Sequence, residues 1–126
     1  MTAAAVTLTD VHQFWSRVVI IYGVLIALWG FLLVIRRADL SGGFLGSLVI
    51  AEGIVAVQAV LGIILLIQGQ RPHDALHYLY GFVALVTLPG AYLYTLQGTV
   101  RGSSLIIAVA CAFLIGISIR AITTGM

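Results

Sequence analysis

Charge is the scarcest property of this 126-residue sequence. It contains no lysine, and its charged residues amount to 8% of the chain, against about 25% in soluble domains. Hydrophobic residues account for 62%, so we expect an integral membrane protein. The net charge of +2 is too small and too dispersed for a nucleic-acid-binding surface, so we expect no nucleic acid as a partner.

Residues that carry out chemistry are equally few. The single cysteine, Cys111, lies in an apolar run and cannot form a disulfide within the chain. The sequence has no nucleophile with a neighbouring base, no glycine-rich phosphate loop and no cysteine metal motif. We therefore expect neither an enzyme nor a resident cofactor. The N-terminus lacks the positively charged start of a signal peptide, so the first apolar segment is expected to be retained.

Four apolar segments are long enough to cross a bilayer, which requires about 20 residues. Loops of about eight residues or fewer connect them and force consecutive helices to be antiparallel. We predict an all-α, integral membrane four-helix up-down-up-down bundle that forms one domain over 1–126, with both termini on the same side of the membrane. The predicted spans are 14–36, 44–67, 75–96 and 103–122, each bound being approximate.

Three local signals mark helix boundaries and a bend. Thr7 and Asp10 have the spacing of a capping box, which predicts the start of the first helix. Pro72 and Asp74 suit the first turn of a helix, because proline lacks the N–H that would be unpaired there and aspartate favours the positive helix end. The third helix is therefore predicted to begin at this point. Pro89 lies inside it and is expected to bend it.

The stretch 71–81 holds most of the chemically versatile residues of the chain. His73 and His77 are four residues apart, so they are predicted to share one helix face. Gly81 continues that face and is predicted to allow another group to approach closely. In an antiparallel bundle, His12 of the first span lies toward the same side of the membrane.

These residues permit several kinds of site. His12 and His77 are candidate axial ligands for a haem held between the first and third spans. Tyr80 and His77 are also candidates to hydrogen-bond a quinone carbonyl. We favour histidines that form hydrogen bonds within the bundle or to a neighbouring subunit, without haem, because His12 precedes the apolar run.

Polar residues inside the spans are the other candidates. An ionisable residue in hydrocarbon costs about 2.5–3.5 kcal/mol or more, so Glu52 is expected to face the protein interior, a partner or water. Its carboxyl group is expected to be protonated or paired with a cation such as Arg101. Gln58 is six residues further on and is predicted to lie on a different helix face, which makes an ion path unfavourable. Arg120 is placed at the end of the fourth span.

Small residues recur along several helix faces, and such smooth faces let other helices pack closely. We expect them to contact other chains, since one bundle can bury only part of this surface. The three ridges are Gly23/Ala27/Gly30, Gly42/Gly46 and Ala108/Ala112/Gly116.

Two short motifs, His77-Tyr-Leu-Tyr-Gly81 and Arg120-Ala-Ile-Thr-Thr-Gly125, resemble those of small four-span membrane proteins of unassigned function in Chloroflexi-type bacteria and their relatives. The resemblance covers most of the chain and carries no activity. It implies a setting, because in such organisms small helical subunits accompany electron-transport assemblies such as the quinol-oxidising alternative complex III.

The sequence thus leads to three hypotheses. The first is an accessory subunit of a quinone-linked electron-transport complex in the bacterial cytoplasmic membrane, with other integral subunits, lipid and quinone as its partners. The second is a small b-type cytochrome that uses His12 and His77. The third, and least favoured, is a transporter protomer that uses Glu52.

Overall fold

The described part of the chain folds into helices alone. The computed structural model describes residues 7–96 and 100–125, with the side chains described from residue 102 onward in the second range. Within these ranges there are four helices and no strand, and each helix is long and apolar enough to cross a membrane. The all-α prediction is confirmed, and the chain has the architecture of a multi-pass membrane protein. The helices are α1 (Leu8–Ile35), α2 (Gly42–Ile67), α3 (Leu76–Thr95) and α4 (Val100–Gly125).

Side-chain caps fix where the first two helices begin. The predicted capping box is present, since Asp10 N donates to Thr7 Oγ1 over 3.1 Å and Thr7 N donates to Asp10 Oδ2 over 3.2 Å. Helix α2 starts after Ser41, whose Oγ accepts a hydrogen bond from Phe44 N over 3.1 Å. Both caps pair backbone N–H groups that the first turn of a helix leaves without partners.

The third helix begins later than predicted. Pro72 is not its first residue, because α3 starts at Leu76, whose N–H donates to Asp74 Oδ1 over 2.9 Å. Asp74 therefore uses its carboxylate as a local hydrogen-bond acceptor ahead of the helix. His73 lies in the preceding loop and is exposed, so the prediction that it shares a helix face with His77 is wrong.

The helices follow one another around the bundle, as the up-down-up-down prediction requires. Neighbours in the chain are in contact, and α4 closes the ring by packing along α1. Across the described residues, α1 and α3 face each other diagonally without backbone contact, as do α2 and α4. The largest interfaces are those of α4 with α1 and with α3, whereas α2 and α3 share the smallest.

Small residues bring α1 and α4 together. A methyl group added at Gly30 would lie 3.3 Å from Ala108 Cα, and one added at Gly23 would lie 3.2 Å from Ile115 Cγ1. Ala27, between these glycines, is also buried. The ridge that these residues form was expected to contact other chains, but it packs within the bundle. The core around this interface contains Phe44, Ile107 and Cys111, all almost fully buried.

Candidate functional site

The structure brings together the two histidines that the sequence analysis singled out on different spans. The imidazole rings of His12 on α1 and His77 on α3 lie 6.2 Å apart between centroids, with an interplanar angle of 77°. Both residues are half-buried. Because α1 and α3 are diagonal to each other, this edge-to-face contact crosses one end of the bundle interior.

Helix α4 holds His77 in place. The Nδ1 atom of His77 lies 2.7 Å from the carbonyl oxygen of Ala121. A carbonyl only accepts hydrogen bonds, so Nδ1 carries the hydrogen and, in the neutral ring, Nε2 keeps its lone pair. Gly125 makes this position accessible, since a methyl group there would lie 2.8 Å from His77 Cε1. Within the described residues nothing lies within 4 Å of a methyl group placed on Gly81, so the bundle itself makes no close approach there.

Helix α2 holds His12. A methyl group at Gly62 would lie 3.4 Å from His12 Cε1, so the ring rests against the α2 backbone. Gln58 Nε2 donates to the His12 carbonyl oxygen over 2.9 Å. One turn away, Trp15 Nε1 donates to the Ile54 carbonyl oxygen over 2.7 Å. Two polar side chains therefore fasten the first turns of α1 to α2.

Two polar atoms beside this contact have no hydrogen-bond partner. They are His12 Nδ1 and Gln58 Oε1, and both are buried. Leaving a buried polar atom unpaired costs about 1–3 kcal/mol. A hydrogen-bond partner for either atom would therefore stabilise this end of the bundle. Gln58 Oε1 and His77 Nε2 can accept hydrogen bonds, and His12 Nδ1 can accept or donate one according to its tautomer.

A metal site with three or more protein ligands requires more side chains than this pair supplies. The part of the chain that the structure describes holds no cluster of three or more histidine, cysteine, aspartate or glutamate side chains able to bind a metal ion. A haem needs only two axial ligands, and His12 and His77 are the residues that would hold it. His12 packs on Gly62, and His77 packs on Gly125.

The remaining candidates on α3 and α4 interact with each other. The guanidinium carbon of Arg120 lies 5.7 Å from the centroid of the Tyr80 ring, which is within the range of a cation–π contact. Close by, the N–H of Asp74 donates to the Thr124 carbonyl oxygen over 2.8 Å. These contacts tie the loop before α3 to the last turns of α4.

Glu52 occupies a separate place in the bundle. It faces α3, whereas Gln58 faces α1, as their six-residue spacing predicted. Glu52 Oε1 is buried and has no hydrogen-bond partner. The expected contact with Arg101 involves a side chain outside the described residues. Glu52 lines an open groove of about 380 Å³ between α2 and α3, together with Leu45, Leu48, Val49, Leu88, Pro89 and Tyr92.

Sequence reasoning missed the polar bonds that join α1 to α2. Trp15 donates to a backbone carbonyl of α2, and Tyr22 Oη likewise donates to the Ser47 carbonyl oxygen over 3.1 Å. No sequence signal identifies such an acceptor, because every residue has a carbonyl group.

Comparison of the chain with protein-family models, with curated proteins and with solved structures finds no match. The fold therefore defines a class of protein, and no family is assigned. The class is that of multi-pass membrane proteins built as a four-helix bundle.

Proposed function

We propose that this chain is an accessory integral subunit of a larger membrane complex. The observation that supports this is the outward face of α2, where a methyl group on Gly42, Gly46 or Gly53 would meet nothing within 4 Å. Gly23 and Gly30 of α1, by contrast, are covered by α4 and the core. The chain thus contains one glycine ridge in use and a second ridge without a neighbour.

Contact with lipid does not require a glycine ridge of this kind. Hydrocarbon tails are as apolar as leucine, so membrane helices associate through close packing, and glycines spaced four apart allow backbones to approach. Large side chains flank the exposed ridge, with Val49 73% and Ile50 56% exposed. Glycine grooves bordered by such side chains are the surface that a second transmembrane helix fits.

The wider setting of the proposal comes from the resemblance of the two short motifs. On this resemblance we propose that the subunit belongs to the bacterial cytoplasmic membrane, beside the other subunits of a quinone-linked electron-transport complex. In this role the chain supplies packing surface and lipid contact, and it performs no reaction itself. We further propose that both termini lie on the same side of the membrane, since His12, His77 and Gly125 meet at one end of the bundle.

Co-purification tests the proposal. The protein, tagged and extracted in mild detergent, is expected to run on a native gel with other membrane proteins. Gly46→Leu fills the ridge and is expected to release the chain from that particle. Gly90→Leu is the matched control, because Gly90 is also exposed, with nothing within 4 Å of an added methyl group, but lies on α3. A wild-type chain that purifies as a monodisperse monomer without partners would overturn the proposal.

The second candidate, a small b-type cytochrome, has one observation in its favour, which is the meeting of His12 and His77 across the bundle. A reduced-minus-oxidised spectrum of the purified chain distinguishes the two functions. The accessory-subunit proposal expects no b-type α band. A band that disappears in His12→Ala and in His77→Ala would establish the cytochrome instead.

A further inference from the structure

The groove between α2 and α3 contains Glu52, an acidic side chain in the middle part of a helix. Its volume of about 380 Å³ lies within the range of about 300–1,000 Å³ for small-molecule sites. Glu52 is ten residues from the start of α2, so it lies about 15 Å along that helix, close to its middle. The groove therefore places a carboxyl group far from either end of the bundle.

The groove offers hydrogen-bond acceptors and almost no donors. Glu52 Oε1 is buried without a partner, and the other α2 side chains in the lining are aliphatic. On the α3 wall, Pro89 lacks a backbone N–H, and Tyr92 carries the one hydroxyl group of the lining. A molecule that satisfies Glu52 must therefore bring its own donor, and a cation complements the carboxylate best.

The shape of the groove and its opening toward lipid indicate what the rest of the bound molecule is like. The groove is open along the lipid-facing side of the bundle and is formed by the two helices with the smallest shared interface. Leu48 and Leu88, both buried, form its apolar floor. A compact hydrocarbon body fits against this floor, whereas a packing helix is better served by the smooth glycine ridge on the outer face of α2.

We propose that the α2–α3 groove is a binding site for a lipid-soluble amine. The ammonium group donates to the Glu52 carboxylate and the hydrocarbon body rests on Leu48 and Leu88. This site differs from the assembly surface proposed above in its carboxylate and its α3 wall, although Val49 borders both surfaces. A chain that proved to be a monomer could still have it.

A single NMR resonance reports on the site directly. Glu52 is the one glutamate of the chain, so labelling with ¹³C-glutamate gives one side-chain carboxyl signal. Titration of the wild-type protein in nanodiscs with 1-adamantylamine is expected to move this signal in a saturable manner. An ammonium group of this kind is charged at neutral pH, like that of lysine. A signal that does not move would overturn the proposal.

Equilibrium dialysis with the same probe compares the affinities of wild type and variants. Glu52→Gln is expected to weaken binding by about tenfold or more, the effect of losing a hydrogen bond between charged groups. Asp39→Asn makes the same change of charge in the exposed loop between α1 and α2, and it is expected to bind normally. Equal affinity of wild type and Glu52→Gln, or equal binding of neutral 1-adamantanol and the amine to wild type, would show an apolar groove without a carboxylate site and would contradict the proposal.

Discussion

Two helix pairs of this bundle contrast sharply, although all four helices are strongly apolar. Helices α1 and α4 approach so closely that methyl groups on Gly23 and Gly30 would reach 3.2–3.3 Å from their neighbours. Helices α2 and α3 share the smallest interface and leave a groove of about 380 Å³ between them. Hydrophobicity alone therefore does not determine how membrane helices pack.

Side-chain size and polarity at the line of contact explain the difference. Gly30 on α1 lies against Ala108 of α4, and Gly23 lies against Ile115, so close contacts extend along the interface. On α2, the side toward α3 carries Leu45, Leu48 and the carboxyl group of Glu52, while Gly42, Gly46 and Gly53 point outward. One interface is thus closed within the chain, whereas the groove between α2 and α3 stays open.

Filling the closed interface should have the largest effect on stability. Gly30→Leu forces a side chain against Ala108 Cα and is expected to lower the free energy of unfolding by about 2–3 kcal/mol, or more if the helices separate. Unfolding of the detergent-solubilised chain, followed by circular dichroism, measures this. Gly53→Leu is the control, since an added methyl group there meets nothing within 4 Å. Equal losses in the two variants would remove the contrast between the interfaces.

Disturbing the contact between His77 and α4 is expected to change stability by an intermediate amount. Gly125→Ala places a methyl group 2.8 Å from His77 Cε1, so the ring must turn away from the Ala121 carbonyl oxygen. The expected loss is about 1 kcal/mol, the value of one hydrogen bond, together with loss of the protonated Nδ1 signal of His77 in ¹⁵N NMR.

Gly81→Ala, the matched variant on α3, should change stability in the opposite direction. Its methyl group has open space, and alanine favours a helix interior over glycine by about 1 kcal/mol. If Gly125→Ala were as stable as Gly81→Ala and kept the His77 signal, the packing of His77 on α4 would be disproved.

The smallest effect is expected between α1 and α2. Trp15→Phe removes the donor to the Ile54 carbonyl oxygen while keeping an aromatic ring, and hydrogen bonds between membrane helices average about 0.6 kcal/mol. We expect a loss of this size in the same unfolding measurement. A loss comparable to that of Gly30→Leu would mean that polar bonds, and not close packing, hold α1 in the bundle.

Local signals predicted much of the fold. The capping box at Thr7 and Asp10 involves residues three apart, so the sequence contains all of it. The spans follow from apolar runs, and short loops determine that neighbours are antiparallel. The predicted start of α3 at Pro72 was wrong. The Asp74 carboxylate accepts from the Leu76 N–H, and the Asp74 N–H donates to the Thr124 carbonyl oxygen of α4. A local pattern at Pro72 cannot reveal the contact with α4.

The site was harder to predict, because its key contacts join residues far apart in the chain. His12 and His77 were identified by their rarity in an apolar chain, yet their contact depends on α1 and α3 facing each other diagonally. The glycines that receive them, Gly62 and Gly125, carried no signal, since fourteen glycines occur in the sequence. Which helix face points inward is decided by the whole bundle.

Photocrosslinking in intact membranes tests the central claim, that one face of the bundle is completed by another chain. A photoreactive benzoylphenylalanine replaces Ile50 on the outward face of α2 or, as the control, Leu28 on α1, residues of similar exposure at 56% and 64%. We predict that irradiation joins the Ile50 variant to another membrane protein, while the Leu28 variant stays at 13.4 kDa. Crosslinks of equal yield from both positions, or from neither, would contradict the account.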